Sequence, residues 1–110
     1  MRKLFIFLLL FFIGCTGTNV SDDEVKEANQ FFESIFLDQV QDSPEFQTRL
    51  GYKSNYDQWD DITWEERKRK IRKAMSNLEY LHDNINYDKL DEPAKISYRL
   101  IERRFERQIE

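Results

Sequence analysis

Ser43-Pro44-Glu45-Phe46-Gln47-Thr48-Arg49-Leu50-Gly51-Tyr52-Lys53-Ser54-Asn55-Tyr56-Asp57-Gln58-Trp59-Asp60-Asp61 is the stretch at which the helical rhythm of this chain breaks. It contains one of the two prolines and the only glycine beyond Gly17. Asp42 or Ser43 is placed to cap a short helix with Pro44 at its first position, where a missing N–H costs nothing. Phe46 and Leu50 share a face of that helix, and Gly51 is placed to end it in the left-handed conformation. Tyr52 to Ile62 has neither the helical nor the strand period, and Lys53-Ser54-Asn55 is turn-like. Tyr56 and Trp59 are expected to be packing anchors where the chain reverses. Asp60 and Asp61 lead into the next helix start.

On either side the pattern is helical. Ser21-Asp22-Asp23-Glu24 is a capping box, with acids that complement the positive end of a helix. Its helix runs from about Asp22 to Gln41, with Val25, Ala28, Phe32, Ile35, Phe36 and Val40 as the apolar stripe and Phe31 broadening it. Thr63-Trp64-Glu65-Glu66 is a second capping box. It opens a helix to about Ile85 carrying Trp64, Ile71, Ala74, Met75, Leu78, Leu81 and Ile85. Asn84, Asn86 and Asp88 mark its exit. Asp91-Glu92-Pro93 opens the last helix, whose stripe is expected to be Ile96, Leu100, Ile101, Phe105 and Ile109. The fold class is all-α: about four helices, one of them short. No stop signal follows Arg103 to Glu110. The expectation is that residues 22–110 form the outer amino-terminal part of a larger helical protein.

The first residues decide the compartment. Arg2 and Lys3 precede an unbroken apolar run from Leu4 to Ile13. That run is much shorter than the roughly 20 residues of a membrane-spanning helix, so residues 1–14 are expected to be a signal peptide. Cys15 is the only cysteine and follows Phe12-Ile13-Gly14, which resembles a bacterial lipobox. Cys15 is therefore the expected lipidation site, and two or more acyl chains would hold the protein stably at a membrane. Residues 15–21 would be the lipidated cysteine and its tether. Localisation is expected at the cell envelope, on the outer membrane or cell surface. With Cys15 lipidated, no cysteine remains for a disulfide.

Charge and motifs narrow the chemistry. Setting aside Arg2 and Lys3 leaves 15 cations against 21 acids, a net charge of −6. Phosphate binding to nucleic acid is driven by clustered cations, so nucleic acid is excluded as a partner. The one basic run, Arg67 to Lys73, reads as a solvated helix face, with Glu65 opposite Arg69 and Glu66 opposite Lys70 in the favourable order. Arg99/Glu102, Arg103/Glu106 and Arg107/Glu110 likewise read as surface pairs. His82 is the sole histidine, and Glu79 and Asp83 beside it do not complete a zinc ligand set. Asp57, Asp60, Asp61, Glu65 and Glu66 lack the alternating order of a calcium loop and gather at a helix start instead. No nucleophile elbow or phosphate loop is present. No catalytic residue, metal site or cofactor is expected within the chain.

Four stretches, taken together and in order, carry a family likeness. They are Ala28-Asn29-Gln30-Phe31-Phe32, Ser43 to Gly51, Tyr56-Asp57-Gln58-Trp59-Asp60-Asp61, and Ser97-Tyr98-Arg99-Leu100. The chain from about Glu27 to Glu110 resembles the amino-terminal region of the bacterial domain-of-unknown-function 885 family. The signature residues are Ser43, Pro44, Gly51, Tyr56, Trp59, Asp60 and Asp61. The resemblance implies an exported lipoprotein several times longer than this chain, similar to helical zinc metallopeptidases of the gluzincin type. It implies a downstream His-Glu-x-x-Pro-Gly-His motif that binds zinc and acts on peptides, none of whose positions lies in this chain. The partners so implied are a membrane, reached through the anchor, and the remainder of the parent chain. The alternative is a complete small helical lipoprotein serving as an envelope binding or interaction module.

Overall fold

Each helix begins at a side chain that satisfies its open backbone donors. In the computed structural model, which describes residues 19–110, α1 spans Asp22–Gln41, α2 Pro44–Arg49, α3 Trp64–Asn84 and α4 Glu92–Ile109. A 3₁₀ turn at Tyr87–Lys89 joins α3 to α4. Among the described residues there is no strand, so the all-α expectation holds. The proposed signal peptide and Cys15 lie outside the described residues.

The caps are as the sequence places them, with one half of each box altered. Ser43 accepts from the Phe46 N–H and Asp91 from the Ala94 N–H, both at 3.0 Å. Thr63 accepts from the Glu66 N–H at 3.3 Å, and Ser21 from the Glu24 N–H at a long 3.5 Å. The reciprocal halves do not close. The Glu24 carboxylate instead accepts the N–H of Asn86, and the Ser21 N–H donates to the Lys89 carbonyl at 2.9 Å. The entry to α1 is thereby fastened to the α3–α4 connection. At the second box Glu66 turns toward cations of α3, and Asp61 accepts the Thr63 N–H at 2.8 Å in its place.

The three long helices form an up-down-up bundle. Phe31 stacks on Tyr80 and Lys73 reaches Asp38, so α1 and α3 run antiparallel. Ala28, Leu81, Ile85, Leu90, Ala94 and Tyr98 fill the end of the core nearest Ser21. Ile35, Ala74 and Phe105 fill the other end, with Phe31, Leu78 and Ile101 bridging the two. Alanines at three helix contacts let the backbones approach, and close packing of this kind supplies most of a helix's stability.

The apolar stripe of α4 differs from the expected one. Its buried line is Ala94, Tyr98 and Phe105, with Ile101 and Ile109 beside it. Ile96 and Leu100 are 59% and 66% exposed. Each lies two residues beyond a buried one, about 200° around the helix, and so on the opposite face. Met75 and Trp64 of α3 are also exposed, the indole taking Arg67 and Lys68 over its ring at 5.7 and 5.3 Å.

Gly51 ends α2 as expected, at φ +89°. The Tyr52 N–H reaches back to the Gln47 carbonyl and the Gly51 N–H to Thr48, both at 3.0 Å. That pair of bonds is the Schellman arrangement. A Cβ at Gly51 would meet nothing within 4 Å, so backbone strain alone sets the cost of a side chain there. Gly51→Ala is expected to destabilise the chain by about 1 kcal/mol, and Gly51→Asn by less. Urea unfolding followed by circular dichroism checks both, and a neutral alanine variant would contradict the assignment.

Candidate functional site

The corner between α2 and α3 is built around Asp60. The Ser43 hydroxyl lies 2.7 and 2.8 Å from the two Asp60 carboxylate oxygens, while its own oxygen accepts from Phe46. Asp60 also accepts the Glu45 N–H at 3.0 Å, and its own N–H approaches the Glu45 carboxylate at 3.4 Å. Burial pushes the Asp60 carboxyl up, but the Ser43 hydroxyl, the Glu45 N–H, Lys70 and Arg49 together hold it below its ordinary value. The signature residues Ser43, Pro44 and Asp60 thus meet in one joint. Asp61 serves the α3 cap, and its hydrogen bond from Thr63 lowers its carboxyl.

Gln47 is the structural part of this corner that the sequence pattern does not mark. It is the one buried polar residue of the described chain. Its amide donates to the carbonyls of Val40 at 2.8 Å and Gln41 at 3.4 Å, and accepts from Asn55 at 2.9 Å. It therefore closes the end of α1 and pins the loop after Gly51. No local spacing marks a glutamine for such a role, since all its partners lie six to eight residues away.

Tyr56 and Trp59 correct the expectation of packing anchors. They are 72% and 84% exposed, and Ile62 beyond them is 94% exposed. The loop is held by hydrogen bonds from Asn55 and Asp60, which leaves its rings in solvent. These rings are at the α1 C-terminal end of the bundle. Ser21, the cap of α1, is at the other end, about 30 Å away along a 20-residue helix.

A charge cluster ties the end of α1 to the first turns of α3. Arg69 grips Glu66 with two bonds of 2.6 and 2.7 Å and reaches Asp42 at 3.0 Å. Lys73 lies 3.1 Å from Asp38 and 3.2 Å from Asp42. Burial raises the Asp42 carboxyl, yet Arg69 and Lys73 outweigh it and hold it below the usual range. Glu66, bonded by Arg69, is lowered, and Arg69 is raised by Glu66 and Asp42. The expected Glu65–Arg69 pair does not form, because Arg69 is turned toward α1. Glu66–Lys70 closes only to 3.7 Å. The three expected pairs of α4 do not form among the described residues either. Glu102 instead lies 2.7 Å from His82, across the α3–α4 interface.

Beside this cluster an open cleft of about 360 Å³ runs between the four helices, with Arg49, Lys70 and Arg104 on its walls. Among the described residues no three of His, Cys, Asp and Glu gather as a metal site would need. No described helix is long and apolar enough to cross a membrane.

With the corner, the cluster and the cleft in place, comparison with known families assigns the chain to a class. The model of the family described as bacterial protein of unknown function (DUF885) matches residues 44–110. That is more than half of the chain, and the chain belongs to the DUF885 family. The match begins at Pro44 and takes in the Asp60 corner, α3 and α4. The Ala28 to Phe32 resemblance lies outside it. No curated protein and no solved structure matches the chain.

Proposed function

We propose that this chain is the anchored amino-terminal helical segment of an exported DUF885 protein. A lipid on Cys15 holds it at the cell envelope, residues 16–20 form the tether, and the bundle serves as a structural segment without catalytic residues. The observation that carries the reading is the second apolar face of α4, where Ile96 and Leu100 stand in solvent opposite the buried line. A face of that kind is made for packing against further protein. The parent would resemble zinc metallopeptidases acting on peptides. Among the described residues the one histidine, His82, is engaged with Glu102, and no group of three metal-ligating side chains gathers around it.

Two measurements test the two halves of this reading. Labelled palmitate should enter the protein and be lost in Cys15→Ala, which should also leave the membrane fraction. Retention of both label and membrane association in the variant would overturn the anchor. Reading the coding frame past Glu110 tests the segment: a long frame carrying His-Glu-x-x-Pro-Gly-His is expected, and a stop codon directly after Glu110 overturns it.

A further inference from the structure

The basic run Arg67 to Lys73 divides into two sets with different surroundings. Arg69, Lys70 and Lys73 are held by Glu66, Asp38 and Asp42. Arg67, Lys68 and Arg72 are exposed and form no ion pair among the described residues. This second set shares its surface with apolar side chains. Trp64, Lys68, Arg72 and Met75 follow at steps of four, four and three residues, which keeps them within about 80° of one another around α3. Trp64 and Met75 are both more than half exposed. Lys68 and Arg67 lie over the Trp64 ring at 5.3 and 5.7 Å. Ile62, almost wholly exposed, lines one open cleft with Arg67 and Ile71. The face is thus more than a charged surface: apolar side chains run along it among unpaired cations.

Charge and shape select what this face fits. Residues 62–75 carry six cations against two acids, Glu65 and Glu66, in a chain that is acidic elsewhere. Glu66 is taken by Arg69, Glu65 borders the stripe, and Glu79 follows it past Met75. From Trp64 to Met75 the stripe is straight and about 16 Å long. Tryptophan, isoleucine and methionine beside lysine and arginine suit the headgroup region of a bilayer. There the rings and aliphatic stems lie among acyl-chain ends while the cations meet phosphates. Protein interfaces are depleted in lysine and must supply a separate acceptor for each cation. An anionic lipid surface presents those acceptors in one plane.

We propose that the outer face of α3, from Ile62 to Met75, docks on an anionic lipid surface. Ile62 and Trp64 enter the headgroup region, and Arg67, Lys68 and Arg72 meet its phosphates. The contact is distinct from the proposed lipid on Cys15: an acyl chain tethers the protein, whereas this face fixes how the bundle lies on the membrane. Such a contact is reversible and weakened by salt, so it does not by itself keep the chain in a washed membrane fraction.

Trp59 and Trp64 are the only tryptophans of the chain, so Trp59→Phe leaves Trp64 as a single fluorescent reporter within the face. The full chain carrying Trp59→Phe is reconstituted from detergent with vesicles of phosphatidylcholine, alone or mixed with phosphatidylglycerol, each containing brominated lipid. On phosphatidylglycerol vesicles Trp64 emission should be quenched and shifted to the blue, and the quenching should fall as sodium chloride is raised. Phosphatidylcholine vesicles should quench it much less. Lys68→Gln with Arg72→Gln should lower the ratio of docked to undocked Trp64 about thirtyfold, the effect of removing two cations at an anionic surface. Lys26→Gln with Lys89→Gln removes the same charge near Ser21, at the opposite end of the bundle, and should change the ratio less than about twofold. Unquenched Trp64 on vesicles that carry the chain would overturn the proposal and leave the face to a protein partner. Equal quenching by both vesicle types, equal loss in the Lys26 and Lys89 variant, or a chain that stays off both vesicles would overturn it as well. Palmitate labelling reads the proposed anchor independently, so failure of the one is not mistaken for failure of the other.

Discussion

Leu81→Ala is expected to cost about 2–5 kcal/mol of folding stability, the range for emptying a fully buried leucine site. Leu81 has no exposed surface and sits among Ala28, Ile85, Leu90, Ala94 and Tyr98, where α1, α3 and α4 meet. Its neighbours come from three helices and cannot all move inward at once, so most of the cavity would persist. In a domain of this size 1 kcal/mol shifts the melting temperature by roughly 4–8 °C, so the variant should melt at least about 8 °C lower. Leu100→Ala is the control. The same periodic reading would place both leucines in the core, but Leu100 faces solvent and its removal should stay within about 0.5 kcal/mol. Thermal and urea unfolding of the two variants side by side decides the matter. Equal losses would mean that the face bearing Ile96 and Leu100 is packed within the chain itself.

That pair of leucines shows where sequence reading reaches its limit. Helix starts were legible because each cap is a local bond, closing over three residues: Ser43 to Phe46, Thr63 to Glu66, Asp91 to Ala94. Gly51 was legible for the same reason, since a left-handed end is a property of one residue. The face of α4 was not. Ile96 and Leu100 carry the apolar side chains, while the buried line runs through Ala94 and Tyr98, a small residue and one with a polar tip. Apolarity alone cannot tell a face that packs in this bundle from one left outside it. Glu24, Asp60 and Gln47 were misread or missed because their partners lie across the fold. Glu24 reaches Asn86, 62 residues on, and Asp60 reaches back 17 residues to Ser43. The charge pairs failed likewise, because Arg69 had a better offer from Asp42 at the end of another helix. Spacing along one helix lists candidate pairs, and tertiary geometry chooses among them.

Asp60→Ala is the second large expected effect, and it tests whether the family corner is a structural joint. The substitution removes the acceptor of both the Ser43 hydroxyl and the Glu45 N–H, the two bonds that hold the loop against the start of α2. Hydrogen bonds to a charged group are worth about 1.5–3 kcal/mol when shielded, and partial exposure of this corner places the loss at about 1–2 kcal/mol. Because α2 has only six residues, the loss should fall on the corner first. Faster amide exchange at Phe46 and Leu50, with Leu81 unchanged, is expected. The pH dependence follows from the lowered carboxyl. A group whose folded pKa lies below its unfolded one adds stability above the unfolded value, near 4 for a carboxylate, and loses it as pH falls through the folded value. The stability gap between the native chain and Asp60→Asn should therefore be full at pH 7 and shrink below about pH 4. Asp42, lowered by Arg69 and Lys73, retains its own acid-sensitive contribution in that variant. Acid unfolding should thus be reduced in slope and not abolished. A gap that stays constant from pH 7 to pH 3 would show that Asp60 acts by shape alone and that its charge contributes nothing to the joint.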